Sequence, residues 1–152
     1  MITPTVAIGS CLSPYDTFDT IINLHLGYNA TRVDEITETP FTEGSVVGVG
    51  AGYDNWKKWV GNSSKKIIFC GIDDKDNALS IEKLDRIVAL MGENPGRILF
   101  HCAMGISRST TAAIYYLSKT LGITTREAYQ LARTKRKMVC PNNGFMKLLG
   151  LV

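Results

Sequence analysis

The stretch from residue 97 to residue 121 constrains the fold more than any other part of this sequence. The run RILFH (97–101) is apolar and predicts a buried strand, and a helical pattern extends from about Arg108 to Leu121. Gly122 then stands where a helix commonly ends in a left-handed residue. Only a short turn separates the strand from the helix. A buried strand that passes directly into a helix indicates a parallel sheet covered by helices.

The rest of the sequence repeats this alternation of strands and helices. Apolar runs predict further strands at residues 5–10, 20–26, 45–50 and 65–72. Helix start signals predict three more helices: Ser80 as the N-cap of Ile81–Met91, Thr124 and Glu127 as a capping box opening a helix to about Arg136, and a short helix within PNNGFMKLL (141–149). We therefore predict an α/β fold, with a central, mostly parallel sheet flanked by helices.

Length and charge narrow the class of protein. With 152 residues, we expect one domain over residues 1–152. The net charge of +3 at pH 7 suits an anionic ligand and is too small to indicate nucleic acid, although the sequence leaves nucleic acid open. No apolar run reaches the ~18 residues of a membrane span, so we expect no membrane association. Nothing in the sequence determines the oligomeric state.

The cysteines show neither a disulfide framework nor the spacing of metal ligands. We therefore predict no metal site and no cofactor. A chain whose thiols stay reduced fits a cytoplasmic location, with the nucleus as the alternative. The cysteines are Cys11, Cys70, Cys102 and Cys140.

The turn at residues 102–107 has the composition of an anion cradle. Ligands of parallel sheets bind beyond the carboxyl ends of the strands, where Cys102 stands. The backbone N–H groups of such a turn and the N-terminus of the following helix attract negative charge. Gly105 permits a backbone conformation that a β-carbon resists, and the Arg108 guanidinium can bind two oxygens of a phosphoryl group. The same positive field lowers the pKa of a cysteine thiol.

The string HCAMGISRS closely resembles the signature of the dual-specificity protein phosphatases, within the cysteine-based protein tyrosine phosphatase superfamily. The matching positions are His101, Cys102, Gly105, Arg108 and Ser109. The resemblance extends over residues 97–149, including Pro141, Asn142, Gly144, Phe145, Met146 and Leu148. It implies a dual-specificity phosphatase-like fold, in which residues 102–107 form the phosphate loop. Residues 27–66 match nothing that we recognise.

The resemblance also implies roles for these residues. Cys102 would attack phosphorus and form a cysteinyl-phosphate, Arg108 would hold the phosphoryl oxygens, and Ser109 would help the thiolate to leave. His101 would form hydrogen bonds near the loop and tune Cys102. The substrate phosphate would be bound by the loop residues Ala103, Met104, Gly105, Ile106, Ser107 and Arg108.

The family places its general acid just past an apolar strand upstream of the cysteine. Asp74 fits this pattern best, with Asp73 and Asp76 as alternatives. The alternative is that all three form a solvated acidic turn that caps the next helix, and one of them can be catalytic while the others do so. Asn142, or else Asn143, would brace the phosphate loop or cap the last helix.

A disulfide to a second cysteine protects the nucleophile in some relatives, and Cys70 is the candidate here, although a buried thiol is the simpler interpretation.

The predicted function is metal-independent hydrolysis of phosphotyrosine and of phosphoserine or phosphothreonine in phosphoprotein substrates. An RNA 5′-phosphatase or a phosphoinositide phosphatase with the same mechanism is the first alternative. Those classes often carry basic residues inside the loop, and residues 103–107 contain none. A non-catalytic phosphate-binding module is the second alternative. Trp56, Lys57, Lys58 and Trp59 could form part of a recognition surface or an amphipathic cover.

Overall fold

The computed structural model describes residues 1–25, 36–38 and 65–152. Within these ranges, the strands predicted at 5–10, 20–26, 65–72 and 97–101 and all the predicted helices are confirmed. The strand predicted at 45–50 and the segment Trp56–Trp59 lie outside the described residues. In chain order the elements are β1 (Val6–Gly9), β2 (Thr20–His25), β3 (Ile36–Glu38), β4 (Lys66–Ile72), α1 (Ile81–Met91), β5 (Ile98–His101), α2 (Arg108–Leu121), α3 (Thr125–Lys135) and α4 (Asn143–Leu148).

The described strands form one sheet in the order β1-β5-β2-β4-β3. The first four are mutually parallel, and β3 runs antiparallel to β4, so the prediction of a mostly parallel sheet is confirmed. β3 was not predicted. It has only three residues, too few for an alternating pattern to stand out within a polar segment. β5 lies between β1 and β2, and its carboxyl end therefore opens near the middle of the sheet.

The sheet is apolar on both faces because both faces are covered. On one face, side chains such as Ile22, Ile68 and Phe100 pack against α2, from which Ala113 and Ile114 are fully buried. On the other face, Tyr15 and Phe18 from the β1–β2 connection pack on side chains of the strands, namely Ala7, Ile21, Ile67, Phe69 and Leu99. Two covered faces explain why the strands read as continuous apolar runs.

The helices begin and end where their capping residues predict. Ser80 accepts a hydrogen bond from the Lys83 amide, and both hydrogen bonds of the capping box between Thr124 and Glu127 are present. Gly122 ends α2 with a φ of +65°, in the left-handed region. These caps fix the ends of α2 and α3, which carry side chains that reach the site described next. Within the described parts of the chain, every helix is too short or too polar to cross a membrane.

Candidate active site

Cys102 follows β5 directly, and its thiol is almost fully buried, at 2% exposure. The Gly105 amide donates a hydrogen bond to Sγ at 3.3 Å, and the Ser109 hydroxyl lies 3.2 Å from Sγ. Burial by itself raises the pKa of the thiol. The hydrogen bonds from Ser109 and Gly105 and the charge of Arg108 outweigh it, and they lower the pKa below its usual value. The phosphate loop therefore favours a thiolate at Cys102.

Gly105 is required by the backbone of the phosphate loop. Its φ is +70°, a conformation that side chains resist. A β-carbon there would also lie 2.5 Å from the Gly9 carbonyl oxygen and 2.6 Å from Arg136 Nη2. Only glycine allows β1 and the guanidinium to approach the loop this closely.

Arg108 is the first residue of α2 and extends across the sheet edge towards β4. Its Nη1 donates to the Ile72 carbonyl oxygen at 2.9 Å, at the carboxyl end of β4. This hydrogen bond holds the guanidinium group in place. Because the group has five N–H donors, the other donors can bind an anion. The side chain is half-buried and lines the same cleft as Cys102.

Asp74 lies in the acid turn, residues 73–78, between β4 and α1. Its Oδ1 accepts hydrogen bonds from the Ser107 hydroxyl at 2.8 Å and from Asn142 Nδ2 at 2.9 Å. The Asn142 amide donates to the Ser107 hydroxyl oxygen at 2.9 Å, which closes a triangle of hydrogen bonds. Asn142 also caps α4, because its Oδ1 accepts from the Phe145 amide at 2.9 Å. The Asn142 side chain thus caps α4 and contacts the acid turn, whereas its contact with the phosphate loop at Ser107 is made by its backbone amide.

The other two carboxylates of the acid turn have different surroundings. Asp73 accepts a hydrogen bond from the Asp74 amide at 2.8 Å and pairs with Lys75 at 3.4 Å. The backbone of Asp76 packs so closely on Gly144 of α4 that a β-carbon at Gly144 would overlap the Asp76 carbonyl. Of the three carboxylates, Asp74 is the one that lines the cleft with Cys102.

His101 lies beneath the loop, fully buried at the end of β5. Its Nδ1 is 3.3 Å from the Cys102 carbonyl oxygen and its Nε2 is 2.5 Å from the Tyr15 hydroxyl. A carbonyl only accepts hydrogen bonds, so Nδ1 carries the proton and Nε2 accepts from Tyr15. Burial lowers the pKa of His101 to about 3, against the opposing hydrogen bond to Cys102 and with a smaller contribution from His25. The ring is therefore neutral near pH 7.

The cleft between the acid turn and the phosphate loop has a volume of about 190 Å³. Met104 is 62% exposed and stands at its rim. Gly105 and Ser109 are buried beneath the floor, where they contact the thiol. The side chains that line the cleft are Asp74, Cys102, Ala103, Met104, Ile106, Ser107 and Arg108.

Sequence reasoning missed three groups that hold this arrangement together. Tyr15 lies in an irregular connection, and Arg136 belongs to the basic run ARTKRK, which is typical of a solvated helix face. The third group consists of the backbone amides of Cys11 and Cys140, which bind loop carbonyls and which no sequence pattern could indicate. Among the described residues, no group of three or more His, Cys, Asp or Glu side chains is placed to hold a metal ion.

The order of the strands separates Cys70 from Cys102. Cys70 is fully buried on β4, and Cys102 follows β5, with β2 between them. His101 pairs with Asn23 and Asn23 with Phe69, so the two cysteines stand at similar heights two strands apart. Two strand spacings are about 10 Å, whereas a disulfide needs α-carbons within about 7 Å. A bridge between them would require movement of the backbone.

The sequence profile of the dual specificity phosphatase catalytic domain matches residues 44–151. The chain belongs to the dual specificity phosphatase family. The match includes residues 44–66, part of the segment in which the sequence alone suggested no relative.

A Dictyostelium discoideum protein named as a dual specificity protein phosphatase is 30% identical over 138 residues, which are 84% of this chain and 60% of that protein. This family member spans less than two thirds of the length of the curated relatives it matches first. The crystal structure of human DUSP28 has the same fold, with a TM-score of 0.70 and 16% identity over 99% of this chain and 92% of that chain. A mouse dual specificity phosphatase crystallised with zinc tungstate has a TM-score of 0.68 and 18% identity, over 99% and 83% of the two chains.

Proposed function

We propose that this protein is a metal-independent phosphatase that removes phosphate from phosphotyrosine and from phosphoserine or phosphothreonine in protein substrates. The observation that carries the proposal is the buried Cys102 thiol of lowered pKa, in a cleft lined also by Arg108 and Asp74. A nucleophile, a cation and a carboxyl group in one cleft are the groups that hydrolysis of a phosphate monoester requires. Membership of the dual specificity phosphatase family supports protein substrates.

In the first step, the Cys102 thiolate attacks phosphorus. An S–P bond forms as the P–O bond to the substrate breaks, and Asp74 gives its proton to the departing oxygen. Arg108 and the amides of the phosphate loop stabilise the charge on the three remaining phosphoryl oxygens. The products of this step are the dephosphorylated protein, the cysteinyl-phosphate and the Asp74 carboxylate.

In the second step, water hydrolyses the intermediate. The Asp74 carboxylate takes a proton from water as the water oxygen attacks phosphorus, and the S–P bond breaks. The electron pair returns to sulfur, where the Ser109 hydroxyl at 3.2 Å stabilises the thiolate. Inorganic phosphate leaves, and the thiolate and the protonated Asp74 are restored. His101 takes no part in proton transfer, because its ring is neutral and both its nitrogens are engaged.

Among the described residues, the side chains that line the cleft favour a protein over RNA or a phosphoinositide. Ala103, Met104, Ile106 and Ser107 add no charge to the cleft beyond that of Arg108. One guanidinium matches one phosphate monoester, whereas polyphosphorylated ligands call for further cations.

The test is phosphate release from a matched set of substrates in the presence of a chelator. The set holds a phosphotyrosine peptide, the same peptide with phosphothreonine, a phosphoinositide and a 5′-triphosphorylated RNA. We expect release from both peptides, and loss of at least ~10³-fold in Cys102→Ser, which has no thiolate nucleophile. Release only from lipid or RNA would replace the proposed substrate class. Absence of release from all four, by folded protein, would favour a phosphate-binding module.

A further inference from the structure

Each backbone carbonyl of the phosphate loop has a hydrogen-bond donor. These hydrogen bonds hold the loop in its shape, and the two to the Met104 and Gly105 carbonyls lie in its exposed and half-buried part. The donors are the His101 ring for the carbonyl of Cys102, the Cys11 amide for Ala103, the Arg136 guanidinium for Met104 and Gly105, the Cys140 amide for Ile106, and the Thr111 amide and hydroxyl for Ser107.

Arg136 differs from the other donors in its charge and in binding two successive carbonyls. Its Nη2 donates to the Met104 carbonyl oxygen at 3.2 Å and its Nε to the Gly105 carbonyl oxygen at 3.1 Å. Among the described residues it alone supplies a charged side chain to these carbonyls. Its own backbone is anchored to the end of α3, where its amide donates to the Ala132 carbonyl at 2.8 Å.

The two carbonyls that Arg136 binds belong to the peptide units that face the thiol and the cleft. The Met104 carbonyl and the Gly105 amide share one planar peptide unit and point in opposite directions. The guanidinium therefore holds the end of this unit opposite to the Gly105 N–H, which donates to Cys102 Sγ at 3.3 Å. The Gly105 carbonyl shares a peptide unit in the same way with the amide of Ile106, a residue that lines the cleft.

Glycine makes this part of the loop dependent on an external clamp. Gly105 has no side chain to hold its own conformation, and its φ of +70° is one of several that glycine adopts at little cost. A charged donor on the carbonyl also polarises the peptide unit, which strengthens the N–H at its other end.

We propose that Arg136 is a positioning residue for the phosphate loop. Its guanidinium orients the two peptide units around Gly105, and thereby directs their N–H groups at the Cys102 thiolate and at the bound phosphate. The effect of Arg136 on turnover rests on the proposed phosphatase function. Its effects on the Cys102 thiol and on oxyanion binding can be measured without turnover.

The test follows alkylation of Cys102 by iodoacetamide against pH, with the modified peptide quantified by mass. In Arg136→Ala we expect the apparent pKa of the thiol to rise by about one unit, the equivalent of one hydrogen bond. Tungstate serves as the oxyanion probe, and its binding at the loop should protect Cys102 from alkylation. In Arg136→Ala the tungstate concentration that halves the alkylation rate should rise about tenfold, again the equivalent of one hydrogen bond. In Arg136→Lys the effect should be smaller but not absent, because an ammonium group can bind one of the carbonyls but cannot bind both in a fixed plane.

Arg133→Ala is the matched control. It removes the same charge one turn earlier on α3, where the exposed Arg133 contacts Tyr129 and not the loop. Its thiol pKa and tungstate protection should equal those of the wild type. Guanidinium ions in solution should restore Arg136→Ala towards the wild type and leave Arg133→Ala unchanged.

Two results would overturn the proposal. One is a lower melting temperature in Arg136→Ala with the thiol pKa and tungstate protection unchanged, which would make the residue merely structural. The other is equal shifts in the Arg133 and Arg136 variants, which would indicate an effect of net charge. Failure of the proposed function is distinguishable from both, since it would appear as wild-type protein that releases no phosphate while the Arg136 shifts persist.

Discussion

At the scale of single residues, the site depends on neutral and charged groups kept in separate surroundings. Cys102 is buried next to donors that favour its negative charge. His101, one residue earlier, is buried between Tyr15 and a carbonyl oxygen and stays neutral. Cys102 packs in the core cluster that contains Phe100, whereas His101 contacts Tyr15, which packs on the other face of the sheet. A neutral His101 ring can donate a hydrogen bond to the Cys102 carbonyl oxygen without competing with the Cys102 thiol for protons.

The pH dependence of stability tests the state of His101. In the unfolded chain a histidine has a pKa near 6.5, whereas burial lowers that of folded His101 to about 3. Below pH 6.5 the unfolded state therefore binds a proton that the folded state does not. The free energy of unfolding should fall by about 1 kcal/mol per pH unit between pH 6 and pH 5 on account of this residue.

Denaturant unfolding at several pH values measures this slope. His101→Asn should be less stable at pH 7 and should show a flatter slope between pH 6 and pH 5. Because burial also lowers the pKa of His25, a His25→Asn variant is needed to separate the two histidines. An unchanged slope in His101→Asn would mean that His101 is protonated in the folded protein.

At the scale of secondary structure elements, the acid turn is built against the N-terminus of α4. Asn142 binds both Asp74 and Ser107, and Gly144 provides the close contact with the backbone of Asp76. α4 follows the HCAMGISRS motif by many residues in the sequence. It thus positions Asp74, which precedes that motif. The PNNGF string serves this junction rather than contacting the cleft directly.

Gly144→Ala tests the junction. Its new β-carbon would overlap the Asp76 carbonyl, so we expect the acid turn to move and Asp74 to lose its position. Loss of a general acid matters most for poor leaving groups. The variant should therefore lose roughly 10²-fold or more of kcat/KM on phenyl phosphate or a phosphoserine peptide, and much less on an aryl phosphate with an acidic phenol.

Gly122→Ala is the matched glycine variant. It places a β-carbon in open space at a φ of +65°, far along α2 from the loop, and should lower stability by about 1 kcal/mol without changing the dependence on leaving group. Equal losses on both substrates in Gly144→Ala would argue against a positioning role for the junction.

At the scale of the whole molecule, strand order determines which distant residues meet. The carboxyl end of β5, where the phosphate loop begins, lies between β1 and β2. The loop therefore receives hydrogen-bond donors both from the start of the chain and from beyond α3, namely Cys11, Arg136 and Cys140. The same order places β2 between Cys70 and Cys102.

Oxidation with hydrogen peroxide tests this arrangement. Cys102 should be oxidised first, because the thiolate is the reactive form. Peptide mapping should find no Cys70–Cys102 disulfide, since about two strand spacings separate the two residues. A linked peptide obtained from folded protein, with Cys70→Ser as control, would contradict the strand order.

The sequence by itself determined the features that depend on neighbouring residues. Cys102, Gly105, Arg108 and Ser109 lie within residues 102–109, at the turn between β5 and α2, and the caps at Ser80 and Thr124 act over a single helical turn. Local geometry and hydrogen bonding fix such features, and they can be read from spacing.

The tertiary structure decided what depends on contacts between distant segments. The choice of Asp74 over its neighbours for the cleft, the pairing of Tyr15 with His101, and the clamp of Arg136 on the loop join residues that are 31 to 86 positions apart. Apolar runs show that strands are buried but not which strand lies beside which. That order is set by how the strands and helices pack around a common core.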